Sequence, residues 1–206
     1  MIELSNIYLL GSDSSYYEKF ADGTKKYIDS ELPFEIPESW EWCRLKNILD
    51  VKGGKRLPKG KKLQDTPSNH IYIRVTDMKE QSISSEKIMY ISDEIYAQIK
   101  NYTISSDDLY LTIAGTIGNC GIVPPAFNNM NLTENAVKLT HIKVNKLYLL
   151  KIIQSEFVQK QFSERTNKVA QPKLAITRIL TALVPLPPLC EQKRIENRIT
   201  EIISLL

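Results

Sequence analysis

A run of basic residues carries the clearest chemical signal in this chain. Six cations fall within eleven residues with no acid among them: Lys52, Lys55, Arg56, Lys59, Lys61 and Lys62. Three glycines and a proline share the segment, which predicts a flexible loop rather than a regular element. Such a loop suits the phosphates of a nucleic acid, and Gly54 would permit close approach of the backbone. A solvated surface loop without a ligand is the alternative interpretation.

Two other phosphate or nucleotide chemistries fail on spacing. A P-loop is excluded because Gly54 and Gly60 enclose five residues instead of four, and Lys62 stands where the metal-binding Ser or Thr is required. Adenine methyltransferase chemistry needs a polar residue and an aromatic ring around a Pro-Pro pair to hold a flipped base. The two Pro-Pro strings, Val123–Ala126 and Leu186–Leu189, have neither.

One catalytic alternative stays open. Asp65 together with Asp77 and Lys79 has the spacing of a metal-dependent nuclease, in which carboxylates hold a cation that polarises water. Neither histidine has a positioned serine or cysteine partner, so nucleophilic hydrolysis has no support. Three dispersed cysteines form no C-x-x-C pair, which argues against a zinc site or a disulfide scaffold. We therefore expect reduced thiols, a cytosolic location, and no metal or cofactor bound by the chain itself.

Composition indicates a globular protein with a local basic surface. The 206 residues are enough for one domain with appendages and a substantial core. The net charge is only +3, although the loop alone carries six positive charges, so the remainder of the chain is net negative. The most apolar stretch, Leu147–Ile153, is short and contains Lys151. We expect neither a signal peptide nor a membrane span.

Apolar patterns predict the elements that would position these side chains. Residues 1–31 are polar and irregular, and are interpreted as an N-terminal arm or linker. Trp40 and Trp42 are expected to lie on the core rather than to stack on a base. The predicted strands are Leu45–Val51, Ile71–Thr76, Ile88–Ile91, Leu109–Ala114, a hairpin partner from Cys120, and Ala136–Ile142. A short helix is predicted over Ser92–Ile99 and a long helix over Lys146–Arg165. Without βαβ alternation, the expected class is α+β: a strongly bent, mostly antiparallel sheet with a few packing helices.

A further helix is expected at the C-terminal end. Pro185, Pro187 and Pro188 hold the chain extended, and nothing interrupts a helix from Glu191 onwards. Four apolar residues then follow at intervals of four, three and four: Ile195, Ile199, Ile202 and Leu206. This seam is typical of helix–helix association. The alternative is an ordinary amphipathic helix that packs on its own domain.

Three separated motifs stand in order along residues 32–206. The first is Leu32–Trp42, with the sequence Leu-Pro-Phe-Glu-Ile-Pro-Glu-Ser-Trp-Glu-Trp. The second is Asp108–Gly118, preceded by Asp107 where a glycine is usual, and the third joins Gln171–Leu174 to Pro185–Ile195. Together they resemble the target-recognition domain of DNA-specificity subunits from type I restriction–modification systems.

The resemblance implies a non-catalytic role in DNA recognition. Residues 32–185 would form a target-recognition domain for one half of a bipartite target, and residues 186–206 would begin a spacer or dimerisation helix. Partner methyltransferase subunits, which bind S-adenosylmethionine, and a restriction subunit would supply the chemistry. A second recognition domain, a homodimer twin or the methyltransferase would join through the C-terminal helix.

Contact types divide the candidate site residues into two groups. The six loop cations, with Gly54, would hold the phosphates of duplex DNA and fix its register. Bases in the major groove are read by side chains with paired donors or acceptors, which makes Arg74 the candidate for guanine, and Asn119 and Gln171 the candidates for adenine. Their positions in loops add four neighbours as candidates: Thr76, Asp77, Thr116 and Lys173.

Overall fold

The structure is a computed structural model that describes residues 5–10, 15–163 and 173–204. Its helices are α1 (Leu45–Ile48), α2 (Asp93–Ile99), α3 (Lys146–Gln154), α4 (Glu156–Ser163), α5 (Ile176–Thr181) and α6 (Leu189–Ser204). Its strands are β1 (Ser5–Leu10), β2 (Ser15–Phe20), β3 (Lys25–Tyr27), β4 (Glu41–Arg44), β5 (Asp50–Gly53), β6 (Tyr72–Ile73), β7 (Met78–Lys79), β8 (Ser82–Ile83), β9 (Thr103–Ile104), β10 (Leu109–Thr112), β11 (Cys120–Ile122), β12 (Met130–Leu132), β13 (Ala136–Thr140) and β14 (Leu183–Leu186).

The predicted α+β class is confirmed, and the pairing is mostly antiparallel. Within the described ranges only β6 and β12 pair in parallel. The strands form several small sheets rather than one continuous bent sheet, with the orders β1-β2-β3, β11-β10-β13-β5, β6-β12-β9, β14-β4 and β7-β8.

The main core lies between the four-stranded sheet and the helices α3 and α4. Alternate residues of its two central strands face the helices, because period-two alternation places them on one side of the sheet. They pack in a single cluster with the apolar stripes of α3 and α4: Leu109, Leu111, Val137, Leu139, Leu149, Leu150, Ile153, Val158 and Phe162. This packing gives the loops at the ends of β10 and β13 a fixed support.

A smaller cluster supports the other side of the domain. Ser92 caps α2 by accepting a hydrogen bond from the Ile95 backbone N–H, as the sequence predicts. Ile95 and Ile99 then point into a cluster with Ile91 and Tyr72 of β6. The helix α2 is thereby joined to the sheet that leads into the loops around residues 74 and 134.

The two ends of the predicted recognition domain lie side by side. Strand β4 pairs with β14, so Trp42 lies opposite Pro185, and the proline-rich segment is extended as expected. Trp42 is only 2% exposed and its ring contacts those of Phe34 and Phe157, with centroids 5.3 Å and 5.7 Å away. The expected burial of this tryptophan is confirmed.

The N-terminal segment is structured where it is described, which corrects its interpretation as irregular. Strands β1, β2 and β3 form an antiparallel sheet. Glu18 of β2 is 3% exposed and accepts hydrogen bonds from Arg44 Nε and Nη2 at 3.1 Å and 2.7 Å. Glu31 accepts a second bond from Arg44 Nη2 at 2.9 Å. A buried ion-pair cluster therefore ties this sheet to the end of β4.

Four predicted elements differ in the structure. The strand predicted over Leu45–Val51 is instead the short helix α1 followed by β5, which also takes up Lys52 and Gly53. The strand over Ile71–Thr76 shortens to β6 and then turns into a 3-10 helix, and Ile88–Ile91 contributes only isolated bridges at Tyr90. The long helix breaks at Ser155, whose extended backbone separates α3 from α4.

Candidate nucleic-acid interface

The basic loop is held against the domain at several points. It forms no helix or strand between Gly54 and Leu63. Leu57 and Leu63 nevertheless pack against the α2 cluster, and the Lys55 backbone N–H donates to the Leu132 carbonyl oxygen at 2.9 Å. The loop therefore presents its cations from a supported backbone.

Gly54 marks the closest approach between the loop and the chain behind it. A Cβ at this position would collide with the carbonyl oxygens of Leu132 and Thr133 and would lie 2.7 Å from the Leu132 carbonyl carbon. The Gly54 N–H donates to the Ala136 carbonyl oxygen at 3.1 Å. The sequence prediction gave this glycine close approach to a phosphate, but the structure shows it closely approaching the protein's own backbone.

Glu134 lies at the centre of the surface that the loop reaches. Its Oε1 accepts a hydrogen bond from Arg56 Nε at 2.7 Å, and its carbonyl oxygen accepts one from Lys173 Nζ at 3.1 Å. Burial would raise the pKa of the Glu134 carboxyl, but hydrogen bonds from Arg56, its own backbone and Thr133, with the charge of Arg56, lower it below the usual value. The carboxylate is therefore ionised at neutral pH and holds Arg56, while the backbone carbonyl of the same residue holds Lys173.

The other loop cations differ in how they are engaged. Lys61 pairs with Glu94 of α2 at 2.7 Å, and the Lys55 ammonium lies 5.2 Å from the centre of the Tyr102 ring. The ammonium groups of three exposed lysines have no hydrogen bond or ion pair to any described residue: Lys52, Lys59 and Lys62. These three are available to an anionic ligand without the loss of an internal contact.

Arg74, the predicted guanine reader, is already engaged. Its Nε and Nη2 donate to the two carboxylate oxygens of Asp77 at 3.0 Å and 2.6 Å, and Nη2 also donates to the Lys87 carbonyl oxygen. Thr76 beside it is exposed, and these residues line an open cavity of about 560 Å³. Arg74 could make a bidentate base contact only by leaving Asp77.

The hairpin turn between β10 and β11 is bonded to the chain segment that contributes Arg74, Thr76 and Asp77 to this cavity. The Thr112 hydroxyl donates to the Thr116 carbonyl oxygen and accepts from the Asn119 backbone N–H. The Asn119 side-chain amide donates to the Met78 carbonyl oxygen at 3.0 Å. Asn119 thus joins the hairpin to the segment that carries Arg74, while the Thr116 side chain remains exposed.

The nuclease alternative has no support. Asp77 is 7% exposed, and both of its carboxylate oxygens already accept hydrogen bonds from Arg74, so they are not open to a metal ion. Asp65 is exposed on the loop, and Lys79 pairs with Glu86 at 3.7 Å. Within the described ranges no group of three His, Cys, Asp or Glu residues could hold a metal ion.

The C-terminal helix is docked at its start and becomes more exposed towards its end. Gln192 is 2% exposed; its amide donates to the Pro187 carbonyl oxygen at 2.7 Å and accepts from the Asn145 N–H at 2.9 Å. Along the predicted seam, Ile195 and Ile199 are half-buried, and Ile202 is 48% exposed. None of the helices described is both long and apolar enough to cross a membrane.

Two predicted residues, Gln171 and Leu206, lie outside the described residues. Two residues that sequence reasoning missed are Glu134 and Tyr72, whose hydroxyl donates to the Lys55 carbonyl oxygen at 2.8 Å. Burial raises the pKa of Tyr72 to about 12, so the hydroxyl keeps its proton for this bond. For Glu134, the signal in the sequence was that it is the one charged residue in the segment 128–135.

Relatives by sequence are specificity subunits of restriction enzymes. The chain is 26% identical over 183 residues to the type I restriction enzyme EcoBI specificity subunit of Escherichia coli, covering 88% of this chain and 38% of the relative. It is 24% identical over 219 residues to the MjaVIII specificity subunit of Methanocaldococcus jannaschii, covering all of this chain and 49% of that protein. The chain thus spans less than half the length of these relatives.

Solved structures show the same fold. The HsdS subunit from Thermoanaerobacter tengcongensis matches with a TM-score of 0.63 at 19% identity, over 85% of this chain and 45% of that one. A chain from a study of assembly and conformational transition of a type I R-M system matches with a TM-score of 0.65 at 16% identity, over 86% and 42%. A sequence model described as the type I restriction modification DNA specificity domain matches residues 37–206. This match covers most of the sequence, and the chain therefore belongs to the type I restriction modification DNA specificity domain family.

Proposed function

We propose that this chain is a DNA-recognition module of a type I restriction–modification specificity subunit that reads one half of a bipartite duplex target. The observation that carries the proposal is the family match over residues 37–206. The supported basic loop adds a physical reason, because it exposes unpaired lysines and its Arg56 bonds the same residue, Glu134, as Lys173 does. The chain itself would perform no catalysis and would direct partner subunits to the DNA.

The contact types divide the work at this surface. The unpaired cations Lys52, Lys59 and Lys62 would bind phosphates and set the register of the duplex. Thr76 is exposed at the cavity around Arg74, and Thr116 is exposed on the hairpin turn, so both could meet base edges. Asn119 is engaged with Met78 and would act by holding the hairpin in place.

The partners follow from the same proposal. Methyltransferase subunits carrying S-adenosylmethionine and a restriction subunit would act on the DNA in the cytoplasm, where the three cysteines would remain reduced. The half-buried and exposed apolar seam of α6 offers a surface for a second recognition domain, a homodimer twin or the methyltransferase. The domain limits of 32–185, with an association helix from 186, remain predictions.

A salt titration with a charge-matched control tests the proposal. Binding of fluorescent duplexes would be measured for the chain, alone and with its methyltransferase subunits, across salt concentrations with and without Mg²⁺. Each phosphate contact contributes about −0.9 to the slope of log K against log salt, so removing Lys59 and Lys62 together should reduce the slope by about 2. The control removes Lys160 and Lys193, two exposed cations on α4 and α6.

The outcomes separate three functions. A DNA-recognition module binds duplexes with a steep salt dependence, needs no metal, and shows a reduced slope only in the loop variant. Association through α6 without duplex binding at any salt concentration would leave only an assembly role. Cleavage of the duplex in the presence of Mg²⁺ would contradict the proposal directly.

A further inference from the structure

Two arginines lie near the candidate DNA surface, and their guanidinium groups are engaged in different ways. Arg74 is 29% exposed in its side chain, and it donates three hydrogen bonds from Nε and Nη2 to Asp77 and to the Lys87 carbonyl oxygen. Arg56 is 79% exposed in its side chain and donates only from Nε, to Glu134. Both terminal nitrogens of Arg56 are therefore free within the described residues.

The acceptor that holds Arg56 is itself firmly placed. Glu134 lies in the connection between β12 and β13. Backbone hydrogen bonds fix this connection on both sides: the Thr133 N–H donates to the Ile73 carbonyl oxygen at 3.0 Å, and the Ile113 N–H donates to the Asn135 carbonyl oxygen at 2.8 Å. The Glu134 carboxylate also accepts from the Thr133 hydroxyl at 3.1 Å. The hydrogen bond to this fixed acceptor therefore restricts the direction of the Arg56 guanidinium.

This arrangement suits a base better than a phosphate. A carboxylate 2.7 Å from Arg56 Nε offsets the positive charge that a phosphate contact would use. A guanine edge is uncharged, and its O6 and N7 atoms are recognised by two parallel N–H donors whose direction matters more than net charge. An arginine held at Nε presents its terminal nitrogens as such a pair and loses less side-chain freedom on binding.

We propose that Arg56 reads a guanine in the major groove through its terminal nitrogens, and that Glu134 is the positioning residue that aims it. This inference rests on the proposed function and changes the role of Arg56 within it. The sequence alone assigned Arg56 to the phosphates and Arg74 to guanine. The structure instead leaves the two-donor edge of Arg56 available and uses Arg74 to hold the segment around Asp77.

The test is selection of preferred duplexes from a randomised pool by the complex of the chain with its methyltransferase subunits. Arg56→Ala is compared with Lys59→Ala, which removes one exposed positive charge from the same loop. Arg56→Ala should abolish preference for guanine at one position, a discrimination of roughly 5- to 150-fold for a bidentate contact. Lys59→Ala should weaken binding to all duplexes alike and leave the preference unchanged.

Glu134 variants test the positioning role separately. Glu134→Ala should weaken the same guanine preference, whereas Glu134→Gln keeps a carbonyl acceptor for the Arg56 Nε–H and should retain most of it. Glu134→Gln also removes a negative charge and should raise affinity for unrelated duplexes. Circular dichroism confirms that each variant is folded before its selection is interpreted.

The results distinguish failure of this inference from failure of the proposed function. If the unaltered complex enriches no sequence, the proposed function fails and the inference fails with it. If the unaltered complex enriches a sequence, but Arg56→Ala behaves as Lys59→Ala does, Arg56 is a phosphate contact and the inference is overturned. Loss of the guanine preference in Arg74→Ala alone would overturn it equally, in favour of Arg74.

Discussion

The substitution Gly54→Ala tests whether the basic loop is fixed by its contact with the backbone behind it. A methyl group at this position would collide with the carbonyl oxygens of Leu132 and Thr133, which belong to the backbone and cannot rotate away. The neighbouring Gly53 is a matched control, because a Cβ there would have no atom within 4 Å. Neither glycine has a positive φ angle, so any difference between the two variants reports the close approach.

The magnitude follows from the contacts that must open. To admit the methyl group the loop has to move outward, which breaks the hydrogen bonds from the N–H groups of Gly54 and Lys55 to the carbonyl oxygens of Ala136 and Leu132. Each lost bond costs about 1 kcal/mol, and about twice that where a buried partner is left unsatisfied. We expect Gly54→Ala to lower the free energy of unfolding by about 2–4 kcal/mol. Gly53→Ala should be neutral or stabilising by up to about 1 kcal/mol.

Chemical denaturation of the two variants, followed by circular dichroism, measures this difference. In a thermal scan the Gly54→Ala variant should melt about 4–16 °C lower than the unaltered chain. Duplex binding should weaken as well, because Lys55 and Arg56 follow the displaced residue. Equal stability of the two variants would refute the view that this contact fixes the loop.

Three further predictions concern the support of the domain and its C-terminal helix. Gln192→Ala leaves one buried and one half-buried backbone group without partners and should lower the free energy of unfolding by about 2–4 kcal/mol, whereas the exposed control Arg198→Ala should change it little. Trp42→Ala should cost about 3–5 kcal/mol in the same assay, and Phe34→Ala, at 49% exposed, clearly less. Burial acts to raise the pKa of Glu31, but hydrogen bonds from its cationic neighbours lower it overall. The ionised Glu31 therefore contributes fully to stability above its usual pKa of 4.5, and this contribution is lost as the pH falls through the lower pKa of the folded state. Denaturation below about pH 4 should therefore show a flatter pH profile for Glu31→Gln than for the unaltered chain; parallel profiles would contradict the assignment.

Local signals in the sequence predicted the elements that depend on near neighbours. Ser92 followed by two acids identified the start of α2, and the glycines after β10 identified its hairpin. The break at Ser155 had the same kind of signal, a serine followed by Glu156, but the apolar stripe on both sides concealed it. Where a cap and a continuous stripe conflict, the backbone followed the cap.

Long-range pairing explains what the sequence could not show. Glu134 is 78 residues from Arg56, and neither residue has a local pattern that points to the other. Strand β3 is polar because it faces solvent, and β2 lacks the apolar–polar alternation that would identify it as a strand. Basic character could be located from the sequence alone, but the engagement of Arg74 and the freedom of Arg56 are properties of the folded surface.

The ion-pair cluster of Arg44 with Glu18 and Glu31 has a practical consequence for building hybrid specificity subunits. A graft that begins at residue 37, where the family match starts, would carry the guanidinium of Arg44 without either of its carboxylate partners. Leaving the Arg44 charge, on a residue only 7% exposed, without its counter-charges lowers the free energy of unfolding by about 3–5 kcal/mol. That loss is enough to unfold a marginally stable chimera. A transplant that also carries residues 15–31 keeps the counter-charges together, so the exchangeable unit is larger than its sequence signature.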